Sequence, residues 1–278
     1  MTQSLRRLVR EALAEDIGQE DITTNRMVPI DARCEVKLVA KQDGVLSGIE
    51  VFRMVFDCLH AEISDWGALS QGACFSKGHE IATFRGKTRA VLTAERTAMN
   101  LVQHLSGIAT LTAQFVNAVE GLGTKICDTR KTTPLMRQFE KEAVANGGGT
   151  NHRHNLFNGV VIKENHIAAA GGIGNAVKKA LNGTHHLMKI EVEVTSLGEF
   201  DEAVAAGADV IMLDNMTLPN VTETVRRVQG KKIVLEGSGN VRLDTVRALA
   251  ETGVHVISVG ALTHSAPAVD LSLLIANV

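Results

Sequence analysis

From Gly123 onward the chain alternates six times between a short apolar run and a helical pattern, and this alternation restricts the fold more than any other feature. The apolar runs fall at 124–128, 159–163, 189–194, 209–213, 232–236 and 255–259. The helical patterns fall at about 137–145, 173–182, 198–206, 218–229, 242–251 and 267–276. Strands joined through helices pair in parallel, because a tight hairpin is unavailable to them. Continuous apolar stretches such as Val210-Ile-Met-Leu213 suit strands covered on both faces. Polar residues gather where these runs end: Asp128-Thr-Arg-Lys131, Lys163, Glu193, Asp214, Glu236-Gly-Ser-Gly239 and Ser258-Val-Gly260. That rim carries the chemistry of an α/β barrel and of an open α/β sheet. Six successive strands contributing to one rim favour the barrel, since an open sheet splits its loops about a switch point.

The first ~95 residues have a different texture. Ser4 to Glu15 reads as an amphipathic helix, Cys34 to Ala40 as a half-buried strand and Val51 to Leu59 as a helix. Gly72, Gly78 and Gly86 cut the next stretch into short strands, giving an α+β domain with a small antiparallel sheet. A long helical pattern from Glu95 to Glu120 joins the halves, with Gly107 as its soft point or bend.

Six cationic or protonatable side chains lie within about seventy residues: Arg96, Arg130, Lys131, His152, Arg153 and Lys163. If they converge, each pair costs roughly 2 kcal/mol at ~8 Å and an effective dielectric near 20. Only an anionic ligand offsets such a set. The net charge of −2 makes the positive charge local, as in a small-ligand pocket, and argues against a nucleic-acid surface. With no Tyr and one Trp, base stacking is a poor recognition mode. The four cysteines have no Cys-x-x-Cys spacing and the histidines no His-Glu-x-x-His spacing, so neither a zinc knuckle nor a catalytic zinc is indicated. No apolar run approaches a membrane span, and no apolar leader follows a basic segment, so a cytoplasmic protein is expected.

Arg130 and Arg153 match carboxylate or phosphate in bidentate fashion, while Lys131 and Lys163 serve as point charges. Gly237-Ser-Gly239 and Gly260-Ala261 let backbone N–H groups approach a phosphate, although ordinary βα turns have the same composition. Glu193 and Asp214 end consecutive strands and should lie side by side. Two carboxylates there can hold a divalent cation, bind ribose hydroxyls or stabilise a developing cation; ion pairing with nearby cations is the plainer reading. Glu191 shares the facing of Glu193.

Ordered motifs over roughly residues 8–275 resemble the quinolinate phosphoribosyltransferase family. They include Asp128-Thr-Arg-Lys-Thr-Thr-Pro134, Gly147-Gly-Gly-Thr-Asn-His-Arg153, Ile162-Lys-Glu-Asn-His166, Ile211-Met-Leu-Asp-Asn215 and Glu236-Gly-Ser-Gly-Asn240. Leu135 departs from the glycine common in the family, and Trp66-Gly67 from an Asp-Gly turn. The resemblance implies an N-terminal α/β sandwich domain (1–104) and an incomplete α/β barrel of six or seven parallel strands (105–278), its last helix packing back on the first domain. It also implies a homodimer with shared active sites, in which Arg96 reaches the partner's barrel mouth; further assembly is left open. The implied reaction joins quinolinate to phosphoribosyl pyrophosphate, with Mg²⁺, and releases pyrophosphate and CO2.

On that resemblance Arg96, Arg130, His152 and Arg153 bind the two carboxylates of quinolinate. Lys131 and Lys163 offset charge on pyrophosphate or substrate carboxylate, with Lys131 counted among the catalytic residues. Glu193 and Asp214 stabilise an oxocarbenium-like transition state or hold ribose and Mg²⁺, the ion bound largely through substrate. Thr129, Ser238, Gly239, Asn240, Gly260 and Ala261 complete the substrate site, with Ser238, Gly239, Asn240 and Gly260 cradling the 5′-phosphate. Two other readings fit parts of the pattern: a molybdate-transport-associated paralogue with another acceptor, and a non-catalytic binder of a phosphorylated metabolite. Product formation from quinolinate separates them.

Overall fold

The computed structural model describes residues 3–277. In chain order the elements are α1 (Gln3–Ile17), α2 (Ile22–Met27), β1 (Arg33–Ala40), β2 (Gly44–Val45), α3 (Ile49–Cys58), β3 (Ser64–Ala68), β4 (Cys74–Phe75), β5 (Glu80–Lys87) and α4 (Thr88–Ala118). There follow β6 (Lys125–Cys127), α5 (Arg137–Asn146), β7 (Val160–Ile162), α6 (Glu164–Ala170), α7 (Ile173–Gly183), β8 (Ile190–Val194), α8 (Leu197–Ala206) and β9 (Val210–Asp214). The chain ends in α9 (Leu218–Arg227), β10 (Val234–Ser238), α10 (Val246–Glu251), β11 (Val256–Ser258), α11 (Ala261–His264) and β12 (Leu271–Asn277). They form two compact units, one of residues 3–111, 134–148 and 265–277 and the other of residues 112–133 and 149–264. The units interleave along the chain.

In the first unit an antiparallel sheet runs in the order β12-β1-β5-β3. Alternation in β1 buries Cys34, Val36, Leu38 and Ala40 on one face. Phe52 and Phe56 of α3 meet Phe84 of β5 with ring centroids 6.4 and 5.0 Å apart. Leu5, Val9 and Leu13, four residues apart on α1, are buried where α1 packs on α3.

The expected helix at 267–276 is instead the strand β12, antiparallel to β1 from Leu271↔Ala40 to Asn277↔Cys34. A short run such as Leu271-Ser-Leu-Leu-Ile-Ala276 satisfies either period. The open edge of β1 supplies backbone partners that no local pattern reveals. Gly107 is not a bend either, because α4 runs through it. A Cβ there would lie 2.1 Å from the carbonyl oxygen of Pro267. Gly107→Ala should therefore lower stability by about 2 kcal/mol or more through forced displacement of that backbone, read as a fall in urea midpoint.

In the second unit six parallel strands take the order β6-β11-β10-β9-β8-β7. Strands β7 to β11 follow one another without a switch point, and β6 continues the circle beside β11. No ladder joins β6 to β7; Cys127 instead bridges to Thr150 in the glycine-rich loop. The result is an incomplete six-stranded α/β barrel. The strand expected at 232–236 runs two residues further, so Glu236 and Gly237 lie inside β10. The expected helices at 218–229 and 242–251 are shorter, and the short α6 and α11 were not anticipated. Among the described residues no helix is long and apolar enough to cross a membrane.

Candidate active site

Strand register sorts the barrel residues into two faces. In a parallel ladder paired residues point the same way, and alternate residues point oppositely. One parity is apolar throughout: Ile126, Ile190, Val192, Val194, Ile211, Leu213, Leu235 and Ile257 are all at most 2% exposed. The other pairs Glu193 with Met212, Met212 with Glu236, and Asp214 with Ser238. Glu191, Glu193, Asp214, Glu236, Ser238 and Ser258 thus share the polar face. Sheet geometry, not any local cluster, gathers them.

At the strand ends this face opens into a cavity of about 480 Å³. Thr129 and Lys131 line it from beyond β6, Asp214 and Asn215 from β9, Ser238, Gly239 and Asn240 from β10, and Gly260, Ala261 and His264 from β11. Gly239 has φ +93°, and a Cβ there would sit 2.3 Å from Asn215 Cγ, so only glycine fits. The Asn215 amide donates to Asp214 Oδ2, the Asn240 amide donates to Asn215 Oδ1, each at 3.0 Å, and Asn215 N–H donates to the Ser238 carbonyl at 3.0 Å. Asp214 is thereby tied to the glycine turn. Gly260 leaves room for Lys131, whose Cδ would lie 3.1 Å from a Cβ at that position. The Thr263 hydroxyl fixes the same lysine's carbonyl at 2.8 Å. An ammonium, hydroxyls and a left-handed glycine turn beside one carboxylate suit a phosphorylated ribose.

A second cluster is built by the glycine-rich loop. Asp128, fully buried, accepts from His152 N–H at 2.7 Å and from the Asn151 amide at 3.3 Å. Thr150 N–H donates to the Ile126 carbonyl at 2.8 Å, zipping the loop to the end of β6. Arg153 donates from Nη1 to the Gly159 carbonyl at 2.7 Å. Burial, and then the neighbouring Arg130, pull the Arg153 guanidinium below its usual value, while Glu191 acts the other way. Arg130 Nε is buried and makes no hydrogen bond with protein. The two guanidinium groups therefore lie near enough to repel, and Arg130 Nε keeps a donor for an anion.

Beneath them His152 Nε2 is 3.0 Å from Glu191 Oε2 and 4.0 Å from Glu236 Oε2. Burial, then Glu191, push the Glu236 carboxyl up to about 7, with any charge on His152 opposing. The folded protein therefore keeps a proton on Glu236 that the unfolded chain releases near 4.5. Stability should fall as pH rises from about 4.5 to about 7, and the deficit should persist above that window. Glu236→Gln should raise the melting temperature at pH 8 relative to the parent. At pH 4.5 the gain should vanish in parallel thermal scans.

Lys163, the residue before α6, pairs through Nζ with Glu193 Oε2 at 2.9 Å, so the plainer reading of Glu193 holds in part. Glu193 and Asp214 share a face on adjacent strands but are offset, since Glu193 pairs with Met212. Arg96 is exposed on α4 in the first unit, which carries none of the other predicted site residues. A larger depression in that unit, about 740 Å³ around Glu50, Arg53, Asp57 and Trp66, balances its charges and gathers no predicted site residue. Asn215 and His264 were missed as lining residues, and Asp128 as the anchor of the glycine-rich loop. Asn215 adjoins Asp214, and His264 lies one turn after Gly260, but neither spacing signals a ligand by itself.

The family models confirm what the motifs suggested. Residues 21–106 match the quinolinate phosphoribosyl transferase N-terminal domain, and residues 108–274 the C-terminal domain. A probable nicotinate-nucleotide pyrophosphorylase [carboxylating] of Bacillus subtilis is 41% identical over 97% of this chain and 92% of its own. The nicotinate-nucleotide pyrophosphorylase [carboxylating] of Mycobacterium leprae is 38% identical over 95% of each. Among solved structures, NadC from Streptococcus pyogenes superposes with a TM-score of 0.94 at 38% identity, covering 100% of this chain and 99% of that one. The Francisella tularensis nicotinate-nucleotide pyrophosphorylase gives 0.92 at 40% identity, covering 98% and 96%. With both domain models matched in order and a barrel rim carrying the family's charged motifs, this chain belongs to the quinolinate phosphoribosyltransferase family.

Proposed function

We propose that this protein transfers the phosphoribosyl group of phosphoribosyl pyrophosphate to quinolinate, giving nicotinate mononucleotide, pyrophosphate and CO2. The observation that carries the reading is one barrel face with two anion-binding features, the paired guanidiniums of Arg130 and Arg153 and the cradle of Lys131, Ser238, Gly239 and Gly260. Two vicinal carboxylates suit the first, and the 5′-phosphate suits the second. Holding the pyridine nitrogen against the anomeric carbon converts a bimolecular step into a local one. The bond to pyrophosphate breaks as the N–C bond forms, and positive charge develops on the ribose. Asp214, fixed by Asn215, and Glu193, held by Lys163, are placed to stabilise that charge. Loss of the adjacent carboxylate as CO2 leaves its bonding pair on the ring carbon, where the neighbouring quaternised nitrogen stabilises the negative charge until a proton from solvent takes the vacated position.

Mg²⁺ belongs to this reading. Hard carboxylate oxygens on Asp214 and Glu193 suit an ion that retains waters and binds mainly through phosphates. When bound, it would offset the charge of the leaving pyrophosphate. Incubation with phosphoribosyl pyrophosphate and each of quinolinate, nicotinate and phthalate, followed by chromatography, tests the function. Nicotinate mononucleotide from quinolinate alone supports it. No nucleotide from quinolinate defeats it, and a nucleotide from another acid favours the paralogue reading.

Dimerisation is part of the proposal, with Arg96 completing the partner's quinolinate site. Mixing an Arg96→Ala chain with a Lys163→Ala chain should restore part of the activity in the heterodimer. Inactive mixtures that form heterodimers would count against a shared site.

A further inference from the structure

Two buried carboxylates take no part in the proposed chemistry. Glu191 and Glu236 are 6% and 4% exposed, and with His152 they bring three ligand atoms within 4.8 Å of one another. One oxygen of each carboxylate, Oε1, is buried without a hydrogen bond, as is the Ser258 hydroxyl on the same face. Such groups are costly unless they organise something.

The hydrogen bonds of His152 show what that is. Arg153 N–H donates to His152 Nδ1 at 2.9 Å, which requires a lone pair on Nδ1. The ring proton is then on Nε2, donating to Glu191 Oε2 at 3.0 Å. Both ring nitrogens are engaged inside the protein, one with the Arg153 backbone and the other with Glu191. A metal ion on Nε2 would need the lone pair that the proton occupies, so the ring assignment opposes a metal centre despite the three suitable residue types. We propose that Glu191 is a positioning residue for the acceptor acid. Through the His152 ring it fixes the backbone from which Arg153 projects, and Glu236 confines the Glu191 carboxylate to that ring. His152 acts as a strut in this arrangement. The phosphate cradle lies on other loops and does not depend on it.

This inference rests on quinolinate being the acceptor, and calorimetry separates the two ideas. Quinolinate and phosphoribosyl pyrophosphate are titrated separately into the parent, Glu191→Ala and Glu191→Gln proteins. Glu191→Ala should weaken quinolinate binding about 30-fold, the scale of one buried charge-assisted hydrogen bond. Its affinity for phosphoribosyl pyrophosphate should stay within about twofold, a ratio that general unfolding would not produce. Glu191→Gln should recover most of the quinolinate affinity, because its carbonyl still accepts from Nε2. Equal loss for both substrates, or unchanged quinolinate affinity in Glu191→Ala, overturns the positioning role. So does one equivalent of Mn²⁺ bound by the substrate-free parent and lost in Glu191→Ala. Failure of the parent itself to bind quinolinate would instead remove the acceptor assignment.

Discussion

Arg153→Ala should weaken quinolinate binding by about 3 kcal/mol, roughly 150-fold, because a bidentate carboxylate contact comprises two charge-assisted hydrogen bonds. The fold should survive. The Nη1 bond to the Gly159 carbonyl is lost, but so is the repulsion from Arg130 that helps pull the Arg153 guanidinium below its usual value. Titration calorimetry alongside a thermal scan reads both quantities. A stable variant with parental quinolinate affinity would remove Arg153 from the acceptor site. Arg153→Lys should recover little, since an ammonium cannot reproduce the planar fork.

The other large effect concerns turnover. Glu193→Gln and Asp214→Asn should each lower kcat by about 100-fold or more, the scale for removing one preorganised electrostatic partner of a transition state. Quinolinate affinity should change little in either, because these groups face charge that develops only during reaction. Asp214→Asn isolates the charge, since an amide keeps the shape next to Asn215. Glu193→Gln also releases Lys163 from its 2.9 Å ion pair, so that variant loses more than the carboxylate charge. Single-turnover kinetics separates the two, and unchanged rates in both variants would remove them from the mechanism.

How much of this was legible in the sequence follows from the range of the interactions. The six parallel strands and the rim position of Lys163 and Asp214 follow from local period and charge, whereas the sequence posed the convergence of Arg130 with Arg153 only as a condition. Ile190-Glu-Val-Glu-Val194 even shows its two faces directly. β12 was misread because its partner, β1, lies more than two hundred residues away in the chain. Gly107 suggested a bend until Pro267 was seen beside it. Glu236 was read as the last residue of its strand, whereas β10 runs on to Ser238, and burial of an acid is the last thing hydropathy reports. The Asp128 anchor and the ring orientation of His152 depend on loop closure, which composition does not encode. Leu135 takes φ +66°, the left-handed region, so the glycine-like turn persists there without the glycine.

The most direct test of the reaction uses quinolinate labelled in its 2-carboxylate. With phosphoribosyl pyrophosphate and Mg²⁺, labelled CO2 should appear one for one with nicotinate mononucleotide, and no label should leave without the phosphoribosyl donor. Release in the donor's absence, or nucleotide that retains the label, would contradict a barrel face that joins the ring nitrogen to ribose before the carboxylate departs.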